Sequence, residues 1–276
     1  MRTMTESTIP SANMFDNKPL AGQHALVTGG SRGIGASVCD YLARMGANVS
    51  LTARNAETLD SHAAALRKDH GTEVFAAAGD MSKEADIVAA FAGAAEALGP
   101  VDILVANAGV GKSAPFHRME LDFWQGIIDL NLTGTYLCTK QVYQSMRERG
   151  YGRIVNIAST VGLRGYPYIA AYAASKHGVV GLTRSLALEA ATTGITVNSV
   201  CPGYTDTDLV DEAIDVIVGK TGRDASEVRG EIEHMSPMAR MITTEEVAET
   251  VAWLCLPSSA AITGQSIVVA GGAVTN

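Results

Sequence analysis

From Gln23 onward, short β-branched runs alternate with longer amphipathic stretches, and that rhythm constrains the fold more than any other feature of the chain. His24–Thr28, Asn48–Ala53, Glu73–Ala78, Asp102–Asn107, Arg153–Ile157, Thr196–Val200 and Ser266–Val269 read as strands. Between them, Ile34–Met45, Glu57–His70, Lys83–Leu98, Phe123–Glu148, Tyr172–Thr192 and Glu245–Leu256 read as helices. A run such as Val101–Val105 lacks strict alternation, as strands covered on both faces do. Strand and helix in alternation predict one parallel sheet with right-handed crossovers, doubly wound, with helices on both faces. Tyr204–Met241 breaks the rhythm with two short helices and reads as a substrate lid (204–241). No repeat or linker divides the rest, so the expectation is one α/β domain over 21–276. A polar, proline-bearing stretch precedes it and reads as a flexible N-terminal arm (1–20).

Charge and composition exclude several classes. A net charge of −8 disfavours nucleic acid and anionic membrane surfaces, which call for a positive face. No apolar run approaches the roughly 18–20 residues of a membrane span. The four cysteines, Cys39, Cys138, Cys201 and Cys255, stand singly, with neither a CxxC pair nor an HExxH motif, so no metal site is expected. They read as small buried hydrophobes in a reducing, cytoplasmic setting.

The first strand runs through Thr28-Gly29-Gly30-Ser31-Arg32-Gly33-Ile34-Gly35 directly into a helix. Glycines there permit a tight turn, bring backbone N–H groups to a pyrophosphate, and let helix pack on strand. The helix N-terminus adds partial positive charge. A dinucleotide is the expected ligand, although the spacing is G-x-x-x-G-x-G rather than G-x-G-x-x-G. NAD sites place an acid about 20 residues further on, for the ribose 2′-hydroxyl. This chain has Leu51-Thr52-Ala53-Arg54-Asn55 there, with no carboxylate. Arg54 and Arg32 suit a 2′-phosphate instead, so NADP(H) is the expected cofactor and NAD(H) the alternative.

Thr28–Gly35, Asn107-Ala108-Gly109, Asn131, Ser159, Tyr172-Ala173-Ala174-Ser175-Lys176 and Pro202-Gly203 occur together and in that order. Singly, a Tyr and a Lys at helical spacing mean only an amphipathic face, and a Ser after a strand means a turn. As an ordered set they resemble the short-chain dehydrogenase/reductase family, in its ketoreductase branch of 3-oxoacyl reductases and polyketide ketoreductases. The resemblance covers about Leu20 to Gly272 and implies a Rossmann-type fold, a hydride transfer between NADP(H) and a ketone/secondary-alcohol pair, and a homotetramer.

It also implies roles. Tyr172 is the proton donor, Lys176 acidifies it and holds the nicotinamide ribose, Ser159 bonds the substrate oxygen, and Asn131 anchors a water relay to Lys176. Gly29, Ser31, Arg32, Gly33, Ile34 and Gly35 hold the phosphates. Asp80 and Met81 border the adenine, Asn107, Ala108 and Gly109 back the cofactor, Pro202 and Gly203 flank it, and Thr205 touches the carboxamide. The chemistry requires such groups. Hydride delivery builds negative charge on the carbonyl oxygen, and a free phenol near pKa 10 is a poor donor unless a neighbouring ammonium assists it. His177 turns off the tyrosine face, and His117 reads as an exposed loop histidine.

Three departures bear on this. Ala106 stands where the family often has Asn, and Ala270 where it has Asp, neither touching the chemistry. Leu137 and Leu188 replace the basic residues expected for an acyl-carrier partner, so the substrate is expected to be a small or medium hydrophobic ketone or a 3-oxoacyl-CoA. The lid acids Asp206, Asp208, Asp211, Glu212 and Asp215 read as the wet face of an amphipathic helix. With Leu163, Tyr166, Pro167 and Tyr168, the lid is expected to bound a moderately apolar pocket. Two alternatives stand: an NAD-dependent secondary-alcohol dehydrogenase of the same family, and a catalytically silent nucleotide-binding scaffold.

Overall fold

The computed structural model describes residues 17–275. Seven parallel strands form one sheet in the order β3-β2-β1-β4-β5-β6-β7. They are β1 (His24–Thr28), β2 (Asn48–Ala53), β3 (Val74–Ala78), β4 (Ile103–Ala106), β5 (Gly152–Ile157), β6 (Ile195–Pro202) and β7 (Ser266–Val269). The helices are α1 (Gly33–Arg44), α2 (Ala56–His70), α3 (Glu84–Leu98), α4 (Leu121–Ile128), α5 (Gly134–Arg149), α6 (Ala170–Ala190), α7 (Asp208–Thr221), α8 (Ala225–His234) and α9 (Thr244–Cys255).

Each central strand feeds two cores, which explains its lack of alternation. Val27, Val105 and Val155 face the layer of α1, α2 and α9, packing with Leu42, Leu59 and Val251. Leu26, Leu104 and Ile154 face the layer of α3, α5 and α6, packing with Phe91, Met146 and Ala187. All four cysteines are buried. Local signals set the helix ends. Asn55 caps α2 by accepting from the Thr58 N–H, Thr243 and Glu246 form a reciprocal capping box on α9, and Gly71 and Gly150 end α2 and α5 in the left-handed region.

The chain crosses from β3 to β4, which pairs with β1 on the side away from β2. That reversal opens a crevice beyond the carboxyl ends of β1 and β4, where open parallel sheets bind ligands. At the opposite end, buried His24 donates from Nδ1 to Gly99 O (2.8 Å), its Nε2 bonds Ser50 Oγ (2.8 Å), and its backbone N–H donates to Asp102.

Two expectations change. The single helix over 123–148 is three segments: α4, a π-helical turn at Asp129–Thr133, and α5. Most of the expected arm, residues 1–16, lies outside the described residues. Its end is not loose, since Leu20 is fully buried and its N–H bonds Met45 O at 3.0 Å. Among the described residues, no helix is long and apolar enough to cross a membrane, and no cluster of His, Cys, Asp and Glu suits a metal.

Candidate active site

The glycine turn is shaped by steric necessity. A Cβ on Gly35 would lie 2.1 Å from Gly29 O, so only glycine lets α1 start this close to β1. Gly33 has φ +54°, a conformation costly to any residue with a Cβ. Asn107 locks the turn from β4, its Nδ2 donating to Thr28 O (2.9 Å) and Gly29 O (3.1 Å). Thr28 Oγ1 in return accepts from the N–H groups of Asn107 and Ala108, both at 3.0 Å. Thr28 belongs to the motif but was not expected to carry this load. Arg32, at the N-cap of α1, has extended backbone and gives no side-chain cap, which leaves the helix N-terminus to a ligand anion. Ser31 and Ile34 sit partly exposed along the turn, with Ile34 resting on the core.

These features fit a dinucleotide, and the flanking residues sort by what they can offer. Arg54 is exposed at the end of β2 with no ion-pair partner among the described residues, so its guanidinium is available to a phosphate. Arg32 is engaged: its Nη1 meets Asp208 at 3.1 Å and Glu212 at 3.6 Å on α7. Those contacts are solvent-exposed and weak enough to exchange for a phosphate. The Asp80 carboxylate accepts from the backbone N–H and the hydroxyl of Ser82, and this holds it below the usual carboxylate range. Met81 turns its side chain into the core, so only its backbone borders the groove. Pro202 ends β6 against Val269, and Gly203 packs so closely on Ala270 that a Cβ would stand 3.0 Å from the alanine methyl. Thr205 is buried, its hydroxyl turned back onto Gly203 O at 3.2 Å.

Three elements converge on the reactive centre. Ser159 follows β5, and its Oγ accepts from the Val161 N–H at 3.2 Å and lies near enough to the Tyr172 phenol to act on its ionisation. Tyr172 and Lys176 lie one turn apart on α6, with Lys176 Nζ 5.8 Å from the phenol ring centroid. Lys176 is almost wholly buried and donates to Ile157 O at 2.7 Å. Burial pulls its pKa down to about 8.

Here the charge logic departs from expectation. Burial pushes the Tyr172 phenol up, and the neighbouring Ser159 hydroxyl only partly opposes this. The phenol therefore keeps its proton until charge develops on the substrate oxygen.

Asn131 sits in the π-helical turn and is completely buried. Its Oδ1 accepts from Val110 N–H and its Nδ2 donates to Val110 O, both at 2.9 Å, and Nδ2 also reaches Ser175 Oγ at 3.1 Å. The amide thus clamps the loop after β4 onto α6. A Cβ on Gly109 would stand 3.1 Å from Asn131 Oδ1 and 3.6 Å from Lys176 Nζ, so the bare glycine keeps that corner open.

The lid closes over both seats. Thr207 lies 3.3 Å from where a Gly33 Cβ would be, and Leu209 comes within 3.4 Å of the same position on Gly111, where Tyr172 also arrives at 3.8 Å. Neither Thr207 nor Leu209 carries a sequence signal for such a contact. One argument about partners changes: Leu137 is buried beneath α3, so that position cannot present a charge to any docking protein. Leu188, 82% exposed, remains at the surface. His177 and His117 are exposed, as expected.

Comparison with known proteins agrees with this geometry. The short chain dehydrogenase family matches residues 23–217. A putative ketoacyl reductase of Streptomyces coelicolor is 41% identical, over 90% of this chain and 95% of its own. An acetoacetyl-CoA reductase of Rhizobium meliloti is 40% identical, over 90% and 97%. A crystal structure of an actinorhodin polyketide ketoreductase variant with NADPH superposes with a TM-score of 0.88 at 40% identity, over 91% of this chain and 97% of that one. A doubly wound Rossmann-type sheet, a glycine turn shaped for a dinucleotide, and a Ser159–Tyr172–Lys176 cluster at its carboxyl end thus lead to one conclusion: this chain belongs to the short-chain dehydrogenase family and is an NAD(P)-dependent oxidoreductase of the ketoreductase type.

Proposed function

We propose that this protein reduces a small or medium ketone, or a 3-oxoacyl thioester of CoA, with NADPH as the preferred reductant and Tyr172 as the proton donor. The observation that carries the reading is the convergence of Ser159 and Lys176 on Tyr172, with Lys176 Nζ 5.8 Å from the phenol ring centroid. When bound, the nicotinamide supplies a hydride to the carbonyl carbon. Ser159 holds the carbonyl oxygen, and the phenol of Tyr172 passes its proton to that oxygen as charge develops on it. The Lys176 ammonium then stabilises the phenolate left behind. Asn131 keeps the Val110 loop and α6 in register for this exchange.

A cavity of about 250 Å³ beside Ser159, walled mostly by Tyr204, Met235, Ile242 and alanines, supports a short substrate, since drug-sized ligands fill about 300–1,000 Å³. The unpartnered Arg54, where an NAD site would hold an acid, supports NADPH. Exposed Leu188 on α6 and Tyr136 on α5 support self-association, which light scattering reads directly.

The test follows nicotinamide absorbance with a panel of ketones, acyl-CoAs and alcohols and both cofactors. Tyr172→Phe is expected to lower kcat by about 10²–10⁴ while cofactor affinity holds. Arg54→Ala is expected to raise KM for NADPH and leave KM for NADH unmoved. Unchanged turnover in Tyr172→Phe would sink the mechanism.

A further inference from the structure

The small cavity beside Ser159 holds one charged residue, Arg164. Two of its wall residues are chain neighbours of the site: Thr160 follows Ser159, and Gly203 follows Pro202 at the end of β6. Tyr204, another wall residue, is near enough to Tyr172 to act on its ionisation.

Arg164 is held in place without being neutralised. Its Nε donates to Tyr166 Oη at 2.7 Å and its Nη1 to Ala273 O at 3.1 Å, while its guanidinium carbon lies 4.5 Å from the Tyr166 ring centroid. All its partners are neutral. Among the described residues, no carboxylate lies within ion-pair distance. The three arginines of the neighbouring lid region differ in this respect: Arg223, Arg229 and Arg240 each meet a carboxylate at 2.6 Å. In a chain with net charge −8, this exposed guanidinium, whose Nη2 bonds none of the described residues, is a ready fork for an oxyanion.

We propose that Arg164 is a specificity-determining residue that binds an anionic group at the non-reacting end of the ketone. This rests on the reductase reading above and narrows its substrate class to ketones bearing a carboxylate or, as thioesters, the phosphates of CoA. The apolar wall takes the intervening carbons, and Tyr166 and the Ala273 carbonyl aim the fork.

Matched substrate pairs test it. Levulinate and longer oxo acids are each compared with their methyl esters, and acetoacetyl-CoA with acetoacetyl-N-acetylcysteamine. The readout is the ratio of kcat/KM between the charged and neutral member of each pair. The wild-type chain is expected to favour the charged member of one pair by about tenfold or more, the size of one charge-assisted contact. Arg164→Leu collapses that ratio, and Arg164→Lys recovers part of it. Collapse in the oxo-acid pairs assigns the carboxylate; collapse in the thioester pair assigns the phosphates. Ratios near one in the wild type, or an equal loss for both members in Arg164→Leu, overturn the proposal, because a mere clasp on Ala273 would weaken both alike. If no ketone is reduced with either nicotinamide, the reductase reading fails instead. Calorimetric binding of pentanoate against pentanol then judges Arg164 alone, and equal affinities in the wild type and Arg164→Leu reject it.

Discussion

The cofactor half of this molecule and its lid are built by opposite means. Around β1, α1 and β4, shape leaves almost no choice: Gly35 faces a carbonyl across a gap no Cβ fits, and four hydrogen bonds tie Thr28 and Gly29 to Asn107 and Ala108. The lid formed by α7 and α8 has its own small core, Val210, Ile214, Val228, Ile232 and Met241. Exposed charge braces it within, through Arg229 with Asp206 and Asp211, and ties it to the start of α1, through Arg32 with Asp208 and Glu212. Close packing holds one geometry; exposed ion pairs hold several at little difference in free energy. A hydride-transfer site needs both, a fixed seat for the dinucleotide and a cover that yields to substrate. The match to the short chain dehydrogenase family runs through the first region and stops at residue 217, inside α7.

The sharpest way to break this contrast is Gly35→Ala. The added methyl must push Gly29 away, so we expect a loss of about 1–3 kcal/mol in urea unfolding. NADPH affinity by fluorescence titration should fall about a hundredfold or more, equivalent to about 3 kcal/mol. Near-normal binding would show the turn to be as yielding as the lid.

Next in size is a pH effect at the rigid centre. Lys176 is charged below about 8 and neutral above it, so kcat/KM at limiting nicotinamide, which reports the free enzyme, should fall as pH rises through about 8. At the alkaline limit one lost proton gives about a tenfold drop per pH unit. A profile flat to pH about 10 would remove the ammonium from the chemistry.

A third measurement probes the far end of the rigid half. Burial holds His24 below its ordinary pKa of 6.5, so the unfolded chain binds a proton more readily than the folded one. The stability from neutral His24 is intact above 6.5 and declines as pH falls from there toward the depressed folded value. Urea midpoints for wild type and His24→Gln should therefore converge on acidification, and parallel curves would contradict it.

The smallest effect belongs to the lid. Arg229→Ala removes two exposed ion pairs and should move Tm by no more than about 3 °C. Substrate KM should rise measurably, because Leu209 of α7 meets Tyr172 at Gly111. A large fall in Tm would mean the lid is held as firmly as the turn.

Most of the sheet was legible because doubly buried strands announce themselves: β1, β2 and β7 have the bounds their apolar runs imply. The residues that the fold gathers at the site, Asn131, Ser159, Tyr172 and Lys176, were legible as an ordered set of motifs. What stayed hidden depends on distance or depth. The π-helical turn is invisible because the apolar pattern continues across it, yet it is what brings Asn131 onto Val110. Arg32 looked like a phosphate ligand, and its partner Asp208 lies far along the chain. Leu137 looked like a surface position, but helical periodicity alone does not say which face of α5 is inside. The sign of the Tyr172 shift turned on burial, which spacing does not encode.

The short stretch Thr207–Leu209 spans the two seats at once, with its first residue over Gly33 and its last beside Tyr172. Whatever lifts that stretch uncovers dinucleotide and ketone together. Each catalytic cycle must therefore include a hinge event, and traffic through it, rather than bond making, is where a fast version of this enzyme would spend its time.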